Sequence, residues 1–335
     1  MRMSCAVFSD SALKRRIRFG LARIEGCEIN LSAMPFRFKK SESPAKAVRR
    51  ICRERVGVAL DCLRQPDRPA AVHGARKEIK KLRALFRLVR GEISGGSYRK
   101  GARALRAAAD CLAATRDARV MLKAFAKLVG RSAREFPGIE RALKKHAHLE
   151  ARRFRRKDSV ARTERWLRKT RRRAGALKIQ ATNWTAVEPG LAQSYRCGRE
   201  CCRLVLQKPA PEHFHEWRKH VKDLGYYCCL LRPAWPAITR AMADELERLG
   251  EYLGEDHDLF LLQQFVAESG VAPGAEVAAL NRRIASRQKR LRAAALKLGA
   301  RLYAATPGQF CRRLGQCNRR GKFVAPALVF AAKPR

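Results

Sequence analysis

The sequence predicts an all-helical protein. Long stretches rich in Ala, Leu, Arg, Lys and Glu repeat apolar residues at three-to-four spacing, the helical period, and strand signals are sparse. Pro and Gly fall between those stretches rather than inside them. Apolar residues make up 46% of the 335 positions, enough to build a core.

The elements follow in chain order. Residues 1–39 read as a leader, because no clean period runs through them. Either this leader lacks fixed structure or translation starts at Met34, which opens a short stretch leading directly into the helical pattern. From residue 40 onward the punctuation is regular. It falls at Pro66/Pro69, Gly91/Gly95/Gly96, Pro137/Gly138, Pro189/Gly190, Pro209/Pro211, Pro233/Pro236, Gly270/Pro273/Gly274 and Pro307/Gly308, which predicts about eight helices. Arg152–Arg173 carries about a dozen cations and reads as one solvated helix. Residues 316–335 read as a basic tail.

Charge narrows the function classes. Lys plus Arg is 74 against 30 Asp plus Glu, a formal net charge of +44, or roughly one unbalanced positive charge per eight residues. A body so charged repels itself and is expected to work beside a polyanion. A metabolic enzyme for small neutral substrates is disfavoured. No run of 18 or more apolar residues exists, so no membrane span is expected, and the N-terminus lacks signal-peptide and transit-peptide character. Twelve cysteines without a Cys-x-x-Cys read as reduced cytosolic thiols. No metal and no cofactor are expected.

An internal repeat is the most informative feature. Pro69, His73, Arg76-Lys77, Ile79, Lys80 and Leu82 recur as Pro211, His215, Arg218-Lys219, Val221, Lys222 and Leu224, all at an offset of 142. A second landmark follows, with Leu112, Arg116-Asp117 matched by Leu253, His257-Asp258 at an offset of 141. Two landmarks at nearly one offset describe two similar helical halves, about 40–180 and 190–315, with a pseudo-twofold relation between them.

On a helical wheel Ala75, Ile79, Leu82, Phe86 and Val89 form an apolar stripe. Arg76, Lys80, Arg83, Arg87 and Arg90 form a basic stripe about 100° away, with His73 and Lys77 at its far edge. Like charges four residues apart cost a few tenths of a kcal/mol per pair in an isolated helix. Such a row beside a core stripe implies an anion alongside it. The second half keeps the apolar stripe as Trp217, Val221, Leu224, Cys228 and Leu231. Its basic row is thinner: Arg218, Lys219, Lys222 and Arg232 remain, while Gly225, Cys229 and Asp223 replace cations. Arg99, Lys100, Arg103 and Arg106 on the next helix are expected to form a further wall. Asp117 and Asp258 are expected to cap helices or to orient an Arg.

The paired His-x-x-Arg-Lys-x-x-Lys-x-Leu helices, each followed by Leu-x-x-x-(Arg/His)-Asp, resemble the conserved histidine α-helical domain, CHAD. The resemblance covers about residues 40–315. It implies an all-α fold of two four-helix bundles about a pseudo-twofold axis. It also implies a basic central groove or pore that binds inorganic polyphosphate, and association with cytoplasmic polyphosphate granules. The implied binding set is His73, Arg76, Lys77, Lys80, Arg83 and Arg87 in one half, and His215, Arg218, Lys219 and Lys222 in the other. Arg103 joins it through the expected further wall.

Polyphosphate has charge but no bases, so Arg forks and Lys point charges in a row suit it, and the 7% aromatic content is lean for base stacking. The expected role is non-catalytic binding. Two alternatives stand beside it. One is a general RNA- or DNA-binding basic protein, since electrostatic binding needs no motif. The other is a metal-dependent phosphohydrolase, because His257-Asp258 is similar to the HD signature. Phosphate loops, Gly-x-Gly-x-x-Gly and the Glu-x-Glu-x-Lys signature of triphosphate-tunnel enzymes are absent.

Overall fold

Proline opens most of the helices, because the first turn leaves its N–H groups unpaired and proline has none to lose. The computed structural model describes residues 36–39, 42–270 and 273–319. Among these, eleven α-helices follow one another and no strand occurs. They are α1 (Pro44–Arg64), α2 (Arg68–Leu88), α3 (Gly95–Asp110), α4 (Ala113–Val129), α5 (Pro137–Arg156), α6 (Ser159–Gly175), α7 (Glu188–Gln207), α8 (Pro211–Leu230), α9 (Pro236–Ser269), α10 (Gly274–Leu302) and α11 (Pro307–Arg319). Pro211 takes the first position of α8, whereas Pro69 takes the second of α2, behind Arg68 and the capping carboxylate of Asp67.

The all-helical expectation agrees with this architecture. The count of about eight does not, and the reason is local. All eight Pro/Gly signals fall between successive helices, and two further breaks carry neither residue. One lies at Cys111–Leu112, between α3 and α4. The other lies at Lys157–Asp158, where Asp158 adopts φ 46°, a left-handed conformation that Asp tolerates better than most side chains. Arg152–Arg173 is therefore not one helix but the end of α5 and most of α6. Phe154, Leu167 and Ala174 turn inward while the cations stay outside. Most of the expected leader and the tail from residue 320 lie outside the described residues. Of the leader's end, Phe38 donates its N–H to the Leu230 carbonyl at 3.0 Å. At the other end α11 runs to Arg319, past the expected start of the tail.

The two halves share a plan with one systematic difference. α1 packs on α2 as α7 packs on α8. The second half then continues with two long helices, α9 and α10, where the first half has α3–α4 and α5–α6. α9, at 34 residues, is about 50 Å long. Core formation joins the halves. The larger apolar cluster includes Ile79, Leu82 and Phe86 of α2 together with Trp217, Val221 and Leu224 of α8. A second cluster sits between α4, α5, the end of α9 and the start of α10, with Phe125, Phe136, Leu143, Leu262 and Ile284. Each cluster draws on both halves, so the core is not divided one bundle per half. α2 and α8, which carry the repeated motif, pack directly on each other.

Candidate functional site

The apolar stripes of α2 and α8 are buried as expected: Ala75, Ile79, Leu82, Trp217, Val221 and Leu224 are all closed to solvent. Burying these stripes in one core forces the neighbouring basic rows toward a common seam. Lys80 of α2 shows the result. Desolvation, then the fields of Arg218, Arg116, Arg76 and Lys222, lower its pKa to about 7. Those four cations come from α2, α4 and α8, and so from both halves.

Each member is held differently. Arg76 donates from Nη1 to the Ala109 carbonyl at 3.0 Å, an acceptor near the end of α3. α9 has no break at the equivalent place, and space replaces the carbonyl. A Cβ on Gly254 would lie 3.3 Å from the Arg218 guanidinium. A Cβ on Gly250 would lie 2.7 Å from Lys222 Cε. Glycine at these two positions lets the cations of α8 lie against α9. Desolvation foremost lowers the pKa of Arg218 and of Lys222. The Arg218 Nε is buried without a hydrogen-bond partner.

Two carboxylates border the cluster. Arg116 Nη1 donates to Asp117 at 3.0 Å and its Nη2 lies 3.8 Å from Asp258. Neither Asp caps a helix, since both sit inside one, so of the two expected uses only the placing of an Arg survives. Burial raises the Asp258 pKa against the opposing fields of Arg116, Arg218 and Lys80. His257 lies against His215, with ring centroids 4.3 Å apart and the rings tilted by 36°. Burial, then His215, Arg218, Arg116 and Lys219, push the His257 pKa down to about 3, so it is neutral at pH 7. His73 is exposed, and partial desolvation with Lys77, Lys80, Arg116 and Lys123 nearby lowers its pKa too. Among the described residues no group of three or more His, Cys, Asp or Glu converges on a metal-sized site. Beside Asp117 and His215, the groups acting on His257-Asp258 are the cations Arg116, Arg218, Lys219 and Lys80, which repel a divalent metal.

The expected set therefore divides. Arg76, Lys80, Arg218 and Lys222 meet at the seam, with His73, Lys77 and His215 beside them. Lys219 stands next to His215, but its charge is shared with Glu216 at 2.6 Å. Arg83 lies further along α2, toward Arg87, Asp223 and Arg106. Arg87 is not free for a ligand: its guanidinium is forked onto the Asp223 carboxylate, with Nε at 2.6 Å, and ties α2 to α8. Arg103 is exposed on α3. A cavity of about 310 Å³ near Lys127, Glu255 and Arg287 lies away from the seam, and both its cations pair with Glu255. Sequence reasoning did not place Arg116, Gly250 or Gly254 in the site. Arg116 shares the repeat offset with His257, and the two glycines sit four apart on one face of α9, which were the available signals.

The Arg87–Asp223 fork yields a stability prediction. Asp223 is 10% exposed and Arg87 36%, so the pair is only partly screened. Asp223→Ala is expected to cost roughly 2 kcal/mol, read by chemical denaturation. Unchanged stability would show that the fork is decorative.

Comparison with known proteins now adds a family. A family model, CHAD domain, matches residues 45–267, two thirds of the chain. The chain belongs to the CHAD domain family. The match takes in the seam and ends within α9. The crystal structure of the CHAD domain from the plant Ricinus communis is similar in fold, with a TM-score of 0.62 at 16% identity, covering 82% of this chain and 97% of that one. None of the curated proteins compared is similar to this chain. No described helix of this CHAD domain is long and apolar enough to cross a membrane.

Proposed function

We propose that this CHAD domain binds inorganic polyphosphate along the seam between α2 and α8 and holds it without cleaving it. One observation carries the reading. Arg76, Lys80, Arg218 and Lys222 are brought together from both halves around Arg116, although folding desolvates these four beside like charges. Such an arrangement is unfavourable in isolation and is relieved by an anion with many closely spaced charges. A linear inorganic polymer supplies them without bases that need stacking platforms. The proposed setting is the polyphosphate granule, where this domain would organise the polymer or be recruited to it.

The test is a calorimetric titration with long-chain polyphosphate at physiological salt in excess tRNA. Retained binding supports the reading; displacement by tRNA assigns the seam to nucleic acid instead. The same titration has a pH signature. Lys80 faces Arg76 of its own helix, Arg116 of α4, Arg218 and Lys222 of α8, and Asp258 of α9. Its pKa is about 7 in the free protein and rises when phosphate neutralises those neighbours. Affinity is therefore flat below about pH 7 and falls as pH rises above it, with proton uptake on binding. The unfolded chain keeps an ordinary lysine and binds more protons above pH 7. Stability of the free protein thus rises from about pH 7 toward pH 10, and polyphosphate removes that rise. Affinity that climbs with pH would contradict the site.

A further inference from the structure

The seam uses only part of the chain's net charge of +44. A second dense row of cations lies on the far side of the first half. α2 and α6 each pack against α1 and α3, so α6 stands across that bundle from α2 and faces away from the seam. Its buried side carries Thr163, Leu167, Thr170 and Ala174. On the helical wheel Arg165 and Arg172 point the opposite way, with Arg168 and Lys169 to either side and Arg162 at the edge. From Arg162 to Arg172 the row spans about 15 Å. Among the described residues only Arg168 of these five pairs with a carboxylate, that of Glu164 at 3.2 Å.

The fold does not call for this row. In the second half α10 takes the place of α5 and α6, and it exposes Ala285, Ser286, Ala293 and Ala300 between its cations. A face that serves solubility mixes signs, because i,i+4 pairs then support the helix. Cations three and four apart oppose it, and an external anion relieves that repulsion. Four of the five are arginines, whose flat forks grip phosphate oxygens in pairs. Shape narrows the anion further. The row stands on a convex rod about 10–12 Å across, which suits a B-form major groove of about 12 Å with phosphates on both rims. The A-form major groove of RNA is too narrow to admit it. Trp166 is packed against the core with Lys169 5.0 Å from its ring centroid, so α6 opens no aromatic platform for single-stranded bases. An anionic membrane calls for apolar side chains at the binding face, and Leu167 and Ala174 are turned into the bundle instead.

We propose that the outer face of α6 binds double-stranded DNA through its phosphate backbone, without reading sequence, and that the domain holds DNA and the seam's ligand at the same time. No side chain of this row belongs to the seam, so the inference does not depend on what the seam holds.

The test is fluorescence anisotropy of a labelled DNA duplex of about two helical turns, titrated with the full chain at several salt concentrations. Arg165→Glu with Arg172→Glu is expected to weaken duplex binding at least tenfold and to reduce the log–log salt slope by about two, since each phosphate contact contributes about 0.9. Its affinity for tripolyphosphate, short enough to occupy the seam alone, is expected to stay unchanged. Lys80→Glu is expected to do the reverse. Arg165→Gln with Arg172→Gln keeps good helix formers and is expected to give a smaller loss of the same sign, which separates lost contacts from lost folding. A duplex that fails to bind the parent chain, or binds the charge-reversed variant equally well, overturns the proposal. DNA binding lost in Lys80→Glu places the duplex in the seam and overturns it too. An RNA duplex bound as tightly as DNA refutes the groove fit, and tighter capture by phosphatidylglycerol vesicles through the same two arginines assigns the face to a lipid surface instead.

Discussion

Lys80→Glu is expected to weaken long-chain polyphosphate binding at least a hundredfold while making the free protein more stable. The two effects share one cause. Lys80 stands in a field set by Arg218, Arg116, Arg76 and Lys222, strong enough with burial to bring its pKa to about 7. A carboxylate there neutralises part of that field, so folding improves. The anion loses a charge-assisted contact of about 1.5–3 kcal/mol and meets a repulsion in its place. About 3 kcal/mol corresponds to a hundredfold in affinity. Lys80→Gln, which removes the charge without reversing it, is expected to cost roughly tenfold. Circular dichroism and thermal melting separate binding from folding. A variant that binds as tightly as the parent excludes Lys80 from the site, and one that melts lower shows that the seam is already neutralised in the free protein.

The second large effect concerns the joint between the halves. Gly190, near the start of α7, lies against the end of α2. A Cβ added there would sit 2.0 Å from the Leu88 carbonyl oxygen, 2.6 Å from its carbon and 2.8 Å from its Cα. These are main-chain atoms and cannot swing aside like a long side chain. Alanine favours the helix by about 1 kcal/mol over glycine. Overpacking against backbone costs about 1–3 kcal/mol and at times more, so the clash wins. Gly190→Ala is expected to lower Tm by several degrees. Gly57→Ala, in the middle of α1 with nothing within 4 Å of the new Cβ, is expected to raise it. Only the surroundings differ between these two substitutions. If both shift Tm in the same direction, the close approach of α7 to α2 does not govern stability.

Much of the architecture was legible because helices advertise themselves locally. The apolar stripes of α2 and α8 at 3.6-residue spacing are the buried stripes, and every Pro/Gly signal separates two helices. The breaks at Cys111–Leu112 and Lys157–Asp158 were illegible because no breaker residue marks them; packing of α3 and α6 decides where the chain turns. The site divides along the same line. Arg76, Lys80, Arg218 and Lys222 were legible as repeated cations next to a core stripe. Arg87 looked equivalent to them on the wheel, yet Asp223 claims it, because that partner lies 136 residues away on α8. Arg116 joined the site only once α4 was placed beside α2.

Sequence alone determined that this chain is helical, that it contains one unit twice, and that each copy sets a row of cations beside an apolar stripe. These are properties of spacing along one helix. Tertiary structure decided which cations meet and which are neutralised. Those outcomes depend on distances between residues far apart in the chain. A guanidinium is a ligand contact or a structural tie according to whether a carboxylate from another helix reaches it first.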